Sequence, residues 1–167
     1  VYAFIQLACI ANDPIVDLNP SLSWETSALG TKLLMDHLVK NKVKKIIYAS
    51  SGSVYGIKTE RNVTEDLDLE PISTYNKVKM VTERTILSYK NKINVTILRP
   101  ATVCGFAPRM RLDVTVNMLS FQALKNQQMT IFGGSQKRPN VHIDDLIESY
   151  IFFLKIDIKY NLFNIVF

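Results

Sequence analysis

The sequence predicts a doubly wound α/β fold, in which helices cover both faces of a parallel β-sheet. Three observations support this fold class. The apolar segments that suit strands are continuous rather than alternating, as is typical of strands buried on both faces. These segments alternate along the chain with segments of helical periodicity. The stretches that follow them, LACIAND, ASSGSVYG and RPATVCG, are rich in small and polar residues, as expected where parallel strands end at a ligand site.

The first half of the chain contains two predicted strands and one helix. Residues 2–7 (YAFIQL) form the first strand, and residues 43–50 (VKKIIYAS) form the second. Between them, Asn19 followed by Pro20 is a typical helix start, a capping residue before proline at the first helical position. Apolar residues at helical spacing continue from there to about Lys40, so a single helix is expected.

The second half continues the alternation. An acidic loop (58–70) leads to Ser73, which is expected to cap a helix that runs to about Tyr89. The remaining predicted elements are a strand at 93–98, a helix at about 113–127, a short strand and turn at 129–134 (MTIFGG), a helix at about 145–155 capped by Asp144 or Asp145, and a last strand at 162–167.

Composition excludes several classes of protein. With 167 residues, 47% hydrophobic and 21% charged, the chain suits one folded domain rather than a disordered segment. The net charge of +5 comes from scattered basic residues, so no nucleic-acid partner is expected. The opening VYAFIQLACI is too short to span a bilayer, and neither a membrane partner nor a signal peptide is predicted.

The cysteines and histidines predict no metal site. Cys9 and Cys104 lie far apart and belong to no zinc-binding spacing, so we expect free thiols in a reducing, cytoplasmic compartment. His142 is expected to bind backbone where the chain enters the last helix, and His37 receives no role.

Four side chains could bring acid–base chemistry to the rim of the sheet. Ser50 and Ser51 leave the second strand at its carboxyl end, and Tyr75 and Lys79 lie one turn apart at the start of the following helix. A nearby ammonium lowers the pKa of a phenol, which can then act as a general base. On residue types alone, turn-forming serines, a packed tyrosine and a solvated lysine remain an equally open interpretation.

Four motifs in order carry a family resemblance: IIYASSGSVYG, STYNKVK, INVTILRPATVCG and FGGSQKRPNVHIDDL. Together they resemble the extended short-chain dehydrogenase/reductase family, whose members include NAD-dependent sugar-nucleotide epimerases and dehydratases. The closest pattern is that of the UDP-glucose 4-epimerases. The resemblance runs across nearly the whole chain and implies a Rossmann-like, NAD(P)-binding fold.

The resemblance assigns roles to individual positions. It implies that Ser51, Tyr75 and Lys79 are catalytic, with Lys79 lowering the pKa of Tyr75 and binding the nicotinamide ribose. The implied cofactor-binding residues are Leu7, Ala8, Ser50, Tyr75, Lys79 and Pro100. The implied substrate-binding residues are Ser51, Thr102 and Arg138, of which Arg138 suits the diphosphate of the substrate.

The chain departs from the family pattern at several supporting positions. Gly52 and Ser53 stand where dehydratases of the family carry Asp-Glu, which disfavours a 4,6-dehydratase. Gln6, Ser27 and Val78 replace the usual His, Asn and Ser of the family, and these changes could weaken cofactor orientation. None of them alters the Ser–Tyr–Lys trio.

The resemblance also implies that the fold is incomplete at both ends. Residues 1–167 are interpreted as a fragment of one Rossmann-like domain, with part of the substrate-binding region at about 105–145. The family's N-terminal strand, Gly-rich loop and helix are expected upstream of Val1, together with the residue that selects NAD or NADP. A sheet without that unit exposes an edge, so the isolated chain is expected to be marginally stable or to self-associate.

Three functions follow from these observations. The first is NAD-dependent epimerisation of a nucleotide sugar through a transient keto intermediate, with Tyr75 as acid and base. The second is net reduction or dehydrogenation of a sugar or small carbonyl compound, with NADP not excluded. The third is a non-catalytic dinucleotide-binding or interaction module. The helices that flank Ser27 and Tyr75 are expected to form a homodimer in the complete protein.

Overall fold

The central sheet of the computed structural model has four parallel strands. The structure describes residues 1–158 and 161–166. The strands, in chain order, are β1 (Ala3–Gln6), β2 (Lys45–Ala49), β3 (Asn94–Pro100), β4 (Thr102–Cys104), β5 (Asn140–His142) and β6 (Asn161–Ile165). The sheet order is β1-β2-β3-β6, and β4 and β5 form a separate parallel pair. Tyr48 of β2 lies opposite Gln6 of β1 and Ile97 of β3.

Within the described residues, six α-helices connect the strands. They are α1 (Asp13–Leu18), α2 (Pro20–Ser23), α3 (Gly30–Lys40), α4 (Thr74–Leu87), α5 (Thr115–Asn126) and α6 (Ile143–Lys155). A π-helical turn, Trp24–Leu29, joins α2 to α3 without a break, and a 3₁₀ turn, Gly52–Tyr55, follows β2. None of the helices within the described ranges is long and apolar enough to cross a bilayer.

The predicted fold class is confirmed because helices pack on both faces of the sheet. On one face, Tyr48 and Ile97 pack with Met35 of α3 and Ile86 of α4. On the other face, Ile47 packs with Leu98 of β3 and Phe153 of α6. Neighbouring residues of β2 therefore belong to different cores, and this double burial explains the continuous apolar strands of the sequence.

The predicted helix start is confirmed, but a short helix precedes it. Asn19 caps α2 by accepting a hydrogen bond from Leu22 N at 3.0 Å, and the helical run continues to Lys40 as expected. The preceding α1 was not predicted, because its six residues are too few to show helical periodicity. Its cap is Asn12, whose side chain accepts from Ile15 N at 3.0 Å.

The strand predicted at 129–134 is wrong. The Thr130 N–H donates to the side chain of Gln122 at 2.9 Å, and Gly133 and Gly134 have positive φ, so the segment has no extended ladder geometry. The strands found nearby are instead β4 and β5, which have only three residues each. The last predicted strand is confirmed as β6, although Phe167 lies outside the described residues.

The cap of α6 also differs from the prediction. His142 is the capping residue, and its Nδ1 accepts a hydrogen bond from Asp144 N at 3.3 Å. The predicted backbone contact of His142 is therefore confirmed, whereas the assignment of the cap to Asp144 or Asp145 is wrong. Both carboxylates lie in the first turn instead, where the helix dipole favours negative charge.

Candidate active site

The carboxyl ends of β1, β2 and β3 open onto a cavity of about 350 Å³. Its wall contains five of the six residues predicted to bind the cofactor, namely Leu7, Ser50, Tyr75, Lys79 and Pro100, together with Cys9. Helix α6 closes the opposite side with apolar side chains. The sixth predicted residue, Ala8, lies between two lining residues, and its carbonyl accepts a hydrogen bond from Gln6 Nε2 at 3.3 Å.

Lys79 is buried, so its interpretation as a solvated lysine is wrong. Its side chain enters the cavity from α4, where Ser73 caps the helix by accepting a hydrogen bond from Asn76 N at 3.2 Å. Lys79 Nζ donates to Ala49 O at 2.7 Å and lies 5.8 Å from the ring centroid of Tyr75. Lys79 is only 3% exposed, so this buried ammonium contributes a positive charge to the cavity beside the phenol ring.

The pKa of Tyr75 is raised to about 12, chiefly because the phenol is buried. Electrostatic interactions with Cys9 and Asp13 raise this pKa further, whereas Ser51 and Arg111 lower it. In this structure the pKa of Tyr75 is raised overall rather than lowered, and the lowering effect expected of Lys79 stays a prediction. Burial also lowers the pKa of Lys79.

Ser51 is held at the start of the 3₁₀ turn. Its Oγ accepts from Ser53 N at 3.2 Å and lies 2.8 Å from Ser53 Oγ, which in turn donates to Asn76 Oδ1 at 2.6 Å. The Ser51 hydroxyl also makes a hydrogen-bonding interaction that lowers the pKa of Tyr75. The structure therefore brings the predicted trio of Ser51, Tyr75 and Lys79 together. The contacts of Ser53 and Asn76 were not predicted.

A buried ion pair lies below the cavity and was also missed by the sequence analysis. Ser50 donates its hydroxyl hydrogen to Glu83 Oε1, and Glu83 binds Arg99 through two hydrogen bonds of 3.0 and 2.7 Å. Arg99 also donates to the hydroxyl of Tyr55 at 2.6 Å. A charged residue within the apolar strand INVTILRP could have signalled such a buried partner.

The two predicted substrate residues outside the trio do not line this cavity. Thr102 lies on β4, where its N–H donates to Pro139 O at 3.2 Å. Arg138 is exposed, and its carbonyl accepts a hydrogen bond from Asn140 Nδ2 at 3.0 Å. Arg111, which was not predicted, is a cation whose charge lowers the pKa of Tyr75, and its guanidinium binds Asp113 at 2.9 and 2.6 Å.

The replaced supporting residues have partners of their own. Gln6 Nε2 donates to Thr31 Oγ1 at 3.3 Å, in addition to its bond with Ala8. Ser27 is buried in the π-helical turn and accepts a hydrogen bond from Ile10 N at 3.3 Å. These contacts connect the end of β1 and the segment after it to α3 and to the turn before α3.

A model of the NAD dependent epimerase/dehydratase family matches residues 2–165. The chain belongs to this family. The family resemblance seen in the sequence motifs is therefore confirmed.

Several relatives of this family member are epimerases. The UDP-glucose 4-epimerase of Lactobacillus helveticus is 30% identical over 162 residues, which cover 85% of this chain and 48% of that protein. An uncharacterised UDP-glucose epimerase of Bacillus subtilis is 35% identical over 118 residues, which cover 69% of this chain and 36% of that protein. The chain thus spans a third to a half of the length of these curated relatives.

Solved structures show the same fold. The UDP-glucuronic acid 4-epimerase of Bacillus cereus, in complex with UDP-glucuronic acid and NAD, is 32% identical, with a TM-score of 0.84 over 99% of this chain and 54% of that chain. MoeE5, in complex with UDP-glucose and NAD, is 26% identical, with a TM-score of 0.87 over 99% of this chain and 56% of that chain.

The residues of this epimerase/dehydratase cavity fit the nicotinamide–ribose end of NAD. Leu7 and Pro100 provide apolar surface for a flat ring. Lys79 uses one N–H on Ala49 O and also interacts with Cys9, which leaves an ammonium hydrogen for a ribose hydroxyl. The phenol of Tyr75 lies on the same wall. A cavity of about 350 Å³ suits this end of the dinucleotide rather than the whole molecule.

Proposed function

We propose that the complete protein epimerises a nucleotide sugar with NAD, through a transient keto intermediate of the sugar. The observation that carries this proposal is that Tyr75 and Lys79 line one cavity whose wall fits nicotinamide, while Ser51 lies close enough to Tyr75 to lower its pKa. Family membership supports NAD as the cofactor, and the epimerases among the relatives support a nucleotide-sugar substrate.

In the proposed reaction, Tyr75 removes the proton from a sugar hydroxyl and later returns it. Ser51 binds that hydroxyl, and Lys79 binds the cofactor ribose. Bound NAD would accept and return a hydride, and its positively charged ring would favour the phenolate of Tyr75. This last effect matters, because the pKa of Tyr75 is otherwise raised to about 12, chiefly by burial.

Epimerisation is favoured over dehydration by the residues that follow Ser51. Gly52 and Ser53 supply neither the acid nor the base that elimination of water needs. Thr102 and Arg138 are proposed to contact the substrate beyond this cavity. The planar guanidinium of Arg138, which is exposed, suits a diphosphate.

The test is an assay of the full-length protein with NAD and UDP-hexoses, in which NMR measures the ratio of the two 4-epimers. Tyr75→Phe should reduce the rate by at least about a hundredfold, because the acid–base group is lost. Tyr89→Phe is the matched control, since Tyr89 is bound to Asp36 away from the cavity, and its rate should not change. With NAD bound, absence of interconversion and no effect of Tyr75→Phe would refute the proposal.

The same assay separates the two alternatives. Release of NADH or NADPH in proportion to product would indicate a net dehydrogenase or reductase. Binding of the dinucleotide without any turnover would indicate a non-catalytic module. The carbon position that changes in the sugar would identify the substrate hydroxyl.

We also propose a homodimer formed by the helices near Ser27 and Tyr75. Leu29 and Leu33 lie one turn apart on the outside of this region and are 55% and 59% exposed, as expected of an apolar contact surface. Light scattering of the full-length protein should give twice the monomer mass, and Leu33→Glu should lower it.

The free thiols of Cys9 and Cys104 suit the reducing cytoplasm.

A further inference from the structure

The side chains of Ser51, Ser53 and Asn76 form a chain of hydrogen bonds that starts beside the phenol of Tyr75. Tyr75 interacts with the hydroxyl of Ser51, and the oxygens of Ser51 and Ser53 are 2.8 Å apart. Ser53 Oγ is 2.6 Å from Asn76 Oδ1. Tyr75 and Asn76 both lie in the first turn of α4, so the cap at Ser73 fixes their separation.

The direction of the chain follows from counting hydrogens. Each hydroxyl has one hydrogen to donate and two lone pairs. Ser53 donates to Asn76 Oδ1, so its oxygen can only accept from Ser51. Ser51 then donates to Ser53 and accepts from Ser53 N–H, and one lone pair of its oxygen is left for a Tyr75 phenol. In this direction both serine hydroxyls have an acceptor, and the free lone pair suits a neutral phenol.

The opposite direction is equally complete. If the Asn76 amide turns over, its Nδ2 donates to Ser53, Ser53 donates to Ser51, and Ser51 donates to the oxygen of Tyr75. This direction stabilises the phenolate, because the oxygen of Tyr75 now accepts a hydrogen bond. Each oxygen keeps its own hydrogen, so only rotations of two hydroxyls and one amide are needed.

We propose that Ser51, Ser53 and Asn76 form a reversible hydrogen-bond chain, whose direction changes when Tyr75 alternates between phenol and phenolate. Ser53 and Asn76 are positioning residues that act through Ser51. An amide is suited to the end of the chain, because it carries both an acceptor and donors. The proposal rests on the proposed role of Tyr75 as both acid and base, a role that requires both states of the phenol.

The decisive variant is Asn76→Asp, which leaves only an acceptor at the end of the chain. The carboxylate accepts a hydrogen bond from Ser53, and Ser53 accepts one from Ser51. Ser51 then has no hydrogen left to donate to the phenolate. The pKa of Tyr75 should therefore rise. An aspartate near the N-terminus of α4 is favoured by the helix dipole, so the variant should fold. Its negative charge raises the pKa as well, so the two effects must be separated.

Ser53→Ala separates them, because it breaks the chain and leaves the charge in place. The full-length protein is saturated with NAD, whose charge should bring the pKa of Tyr75 into a range where the fold is stable, and is labelled with [ζ-¹³C]tyrosine. The signal of Tyr75 is assigned with Tyr75→Phe, and its pKa is measured by NMR titration. Asn76→Asp should raise the pKa by about half to one pH unit more when Ser53 is present than in the Ser53→Ala background. Ser53→Thr, which keeps the hydroxyl, should behave like the wild-type background.

Kinetics of the complete enzyme provide a second readout. At neutral pH, Asn76→Asp should lower kcat about tenfold with little change in KM, and adding Ser53→Ala should restore most of the loss. Equal pKa increases in the wild-type and Ser53→Ala backgrounds would show that charge acts alone and would overturn the chain. The titration needs no turnover. If the pKa increase depends on Ser53 but the enzyme is inactive, the proposed function is refuted and the hydrogen-bond chain is supported.

Discussion

Glu83 and Arg99 form a buried ion pair directly below the candidate active site. Arg99 donates to both carboxylate oxygens of Glu83, at 3.0 Å from Nε and 2.7 Å from Nη2, and the two side chains are 4% exposed or less. The hydrogen bonds and charge of Glu83 outweigh the effect of burial and raise the pKa of Arg99. Ser50 and Tyr55 complete the polar contacts of the pair, so both charges are satisfied without water.

Removing one partner of this pair should strongly destabilise the fold. Glu83→Gln leaves the guanidinium buried without a counter-charge, and the free energy of unfolding should fall by about 3 kcal/mol or more. Urea denaturation followed by circular dichroism measures the change. Asp36→Asn is the control, because it removes an exposed partner 2.5 Å from Lys32 and should leave the midpoint unchanged. Equal effects of the two variants would contradict the assigned role of burial.

Alkaline pH should destabilise the protein through its buried tyrosines, because burial raises the pKa of Tyr48, Tyr75 and Tyr150. The pKa values of Tyr75 and Tyr150 are both raised to about 12, mainly by burial. Because the unfolded value is 10.0, each tyrosine stabilises the fold fully below that pH, and the contribution is lost as the pH rises through about 12. The loss should approach about 2 kcal/mol per tyrosine.

Urea titrations between about pH 9 and about pH 12 test this dependence. Tyr75→Phe and Tyr150→Phe should each flatten the decline in stability. Tyr2→Phe, at a tyrosine that is 59% exposed, should leave the profile unchanged. A wild-type profile that does not fall above about pH 10 would show that the phenols are not shielded from solvent.

Lys45 should stabilise the packing of α6 on the sheet. This lysine of β2 is 1% exposed, and its ammonium donates to the carbonyls of Phe153, at 3.1 Å, and Ile156, where α6 ends. A cation at a helix C-terminus also interacts favourably with the helix dipole. Lys45→Met should lower the free energy of unfolding by about 1 to 3 kcal/mol, since buried carbonyls lose their donor.

Lys44→Met provides the matched control for this prediction, because Lys44 is exposed and lies directly before β2. Thermal unfolding of both variants should show a lower midpoint for Lys45→Met only. Hydrogen exchange should also increase in the last turn of α6. An unchanged midpoint for Lys45→Met would mean that desolvation of the ammonium cancels the contribution of its hydrogen bonds.

Two glycine substitutions should have opposite effects. Gly56 has φ of 73°, and a Cβ there would lie closer to Glu70 O than the 3.0 Å limit of real contacts. Gly56→Ala should therefore destabilise the turn that follows Ser51 and Ser53, by about 2 to 4 kcal/mol. Gly30→Ala should stabilise α3 by about 0.5 to 1 kcal/mol, because its Cβ would make only an ordinary contact. Calorimetry of both variants tests whether the unfolding temperature falls for Gly56→Ala and rises for Gly30→Ala.

The candidate site could be predicted in part because its main residues lie at positions that are defined locally. Ser51 follows an apolar strand, and Tyr75 and Lys79 are one helical turn apart, so their positions follow from element order alone. Ser53 and Asn76 are 23 residues apart and meet only because the 3₁₀ turn folds against α4. Their partnership has no local signal.

The sequence by itself determined the parallel α/β class, the order of the main elements and the family, and it predicted that Ser51, Tyr75 and Lys79 come together. These features depend on periodicity, capping residues and motifs, which are properties of short segments. Only the tertiary structure decided the partners of the buried charges, since Lys45 and Phe153 are 108 residues apart and Glu83 and Arg99 lie on different elements. It also decided the pKa of Tyr75, because desolvation depends on every neighbour that excludes water, from β1 to α6.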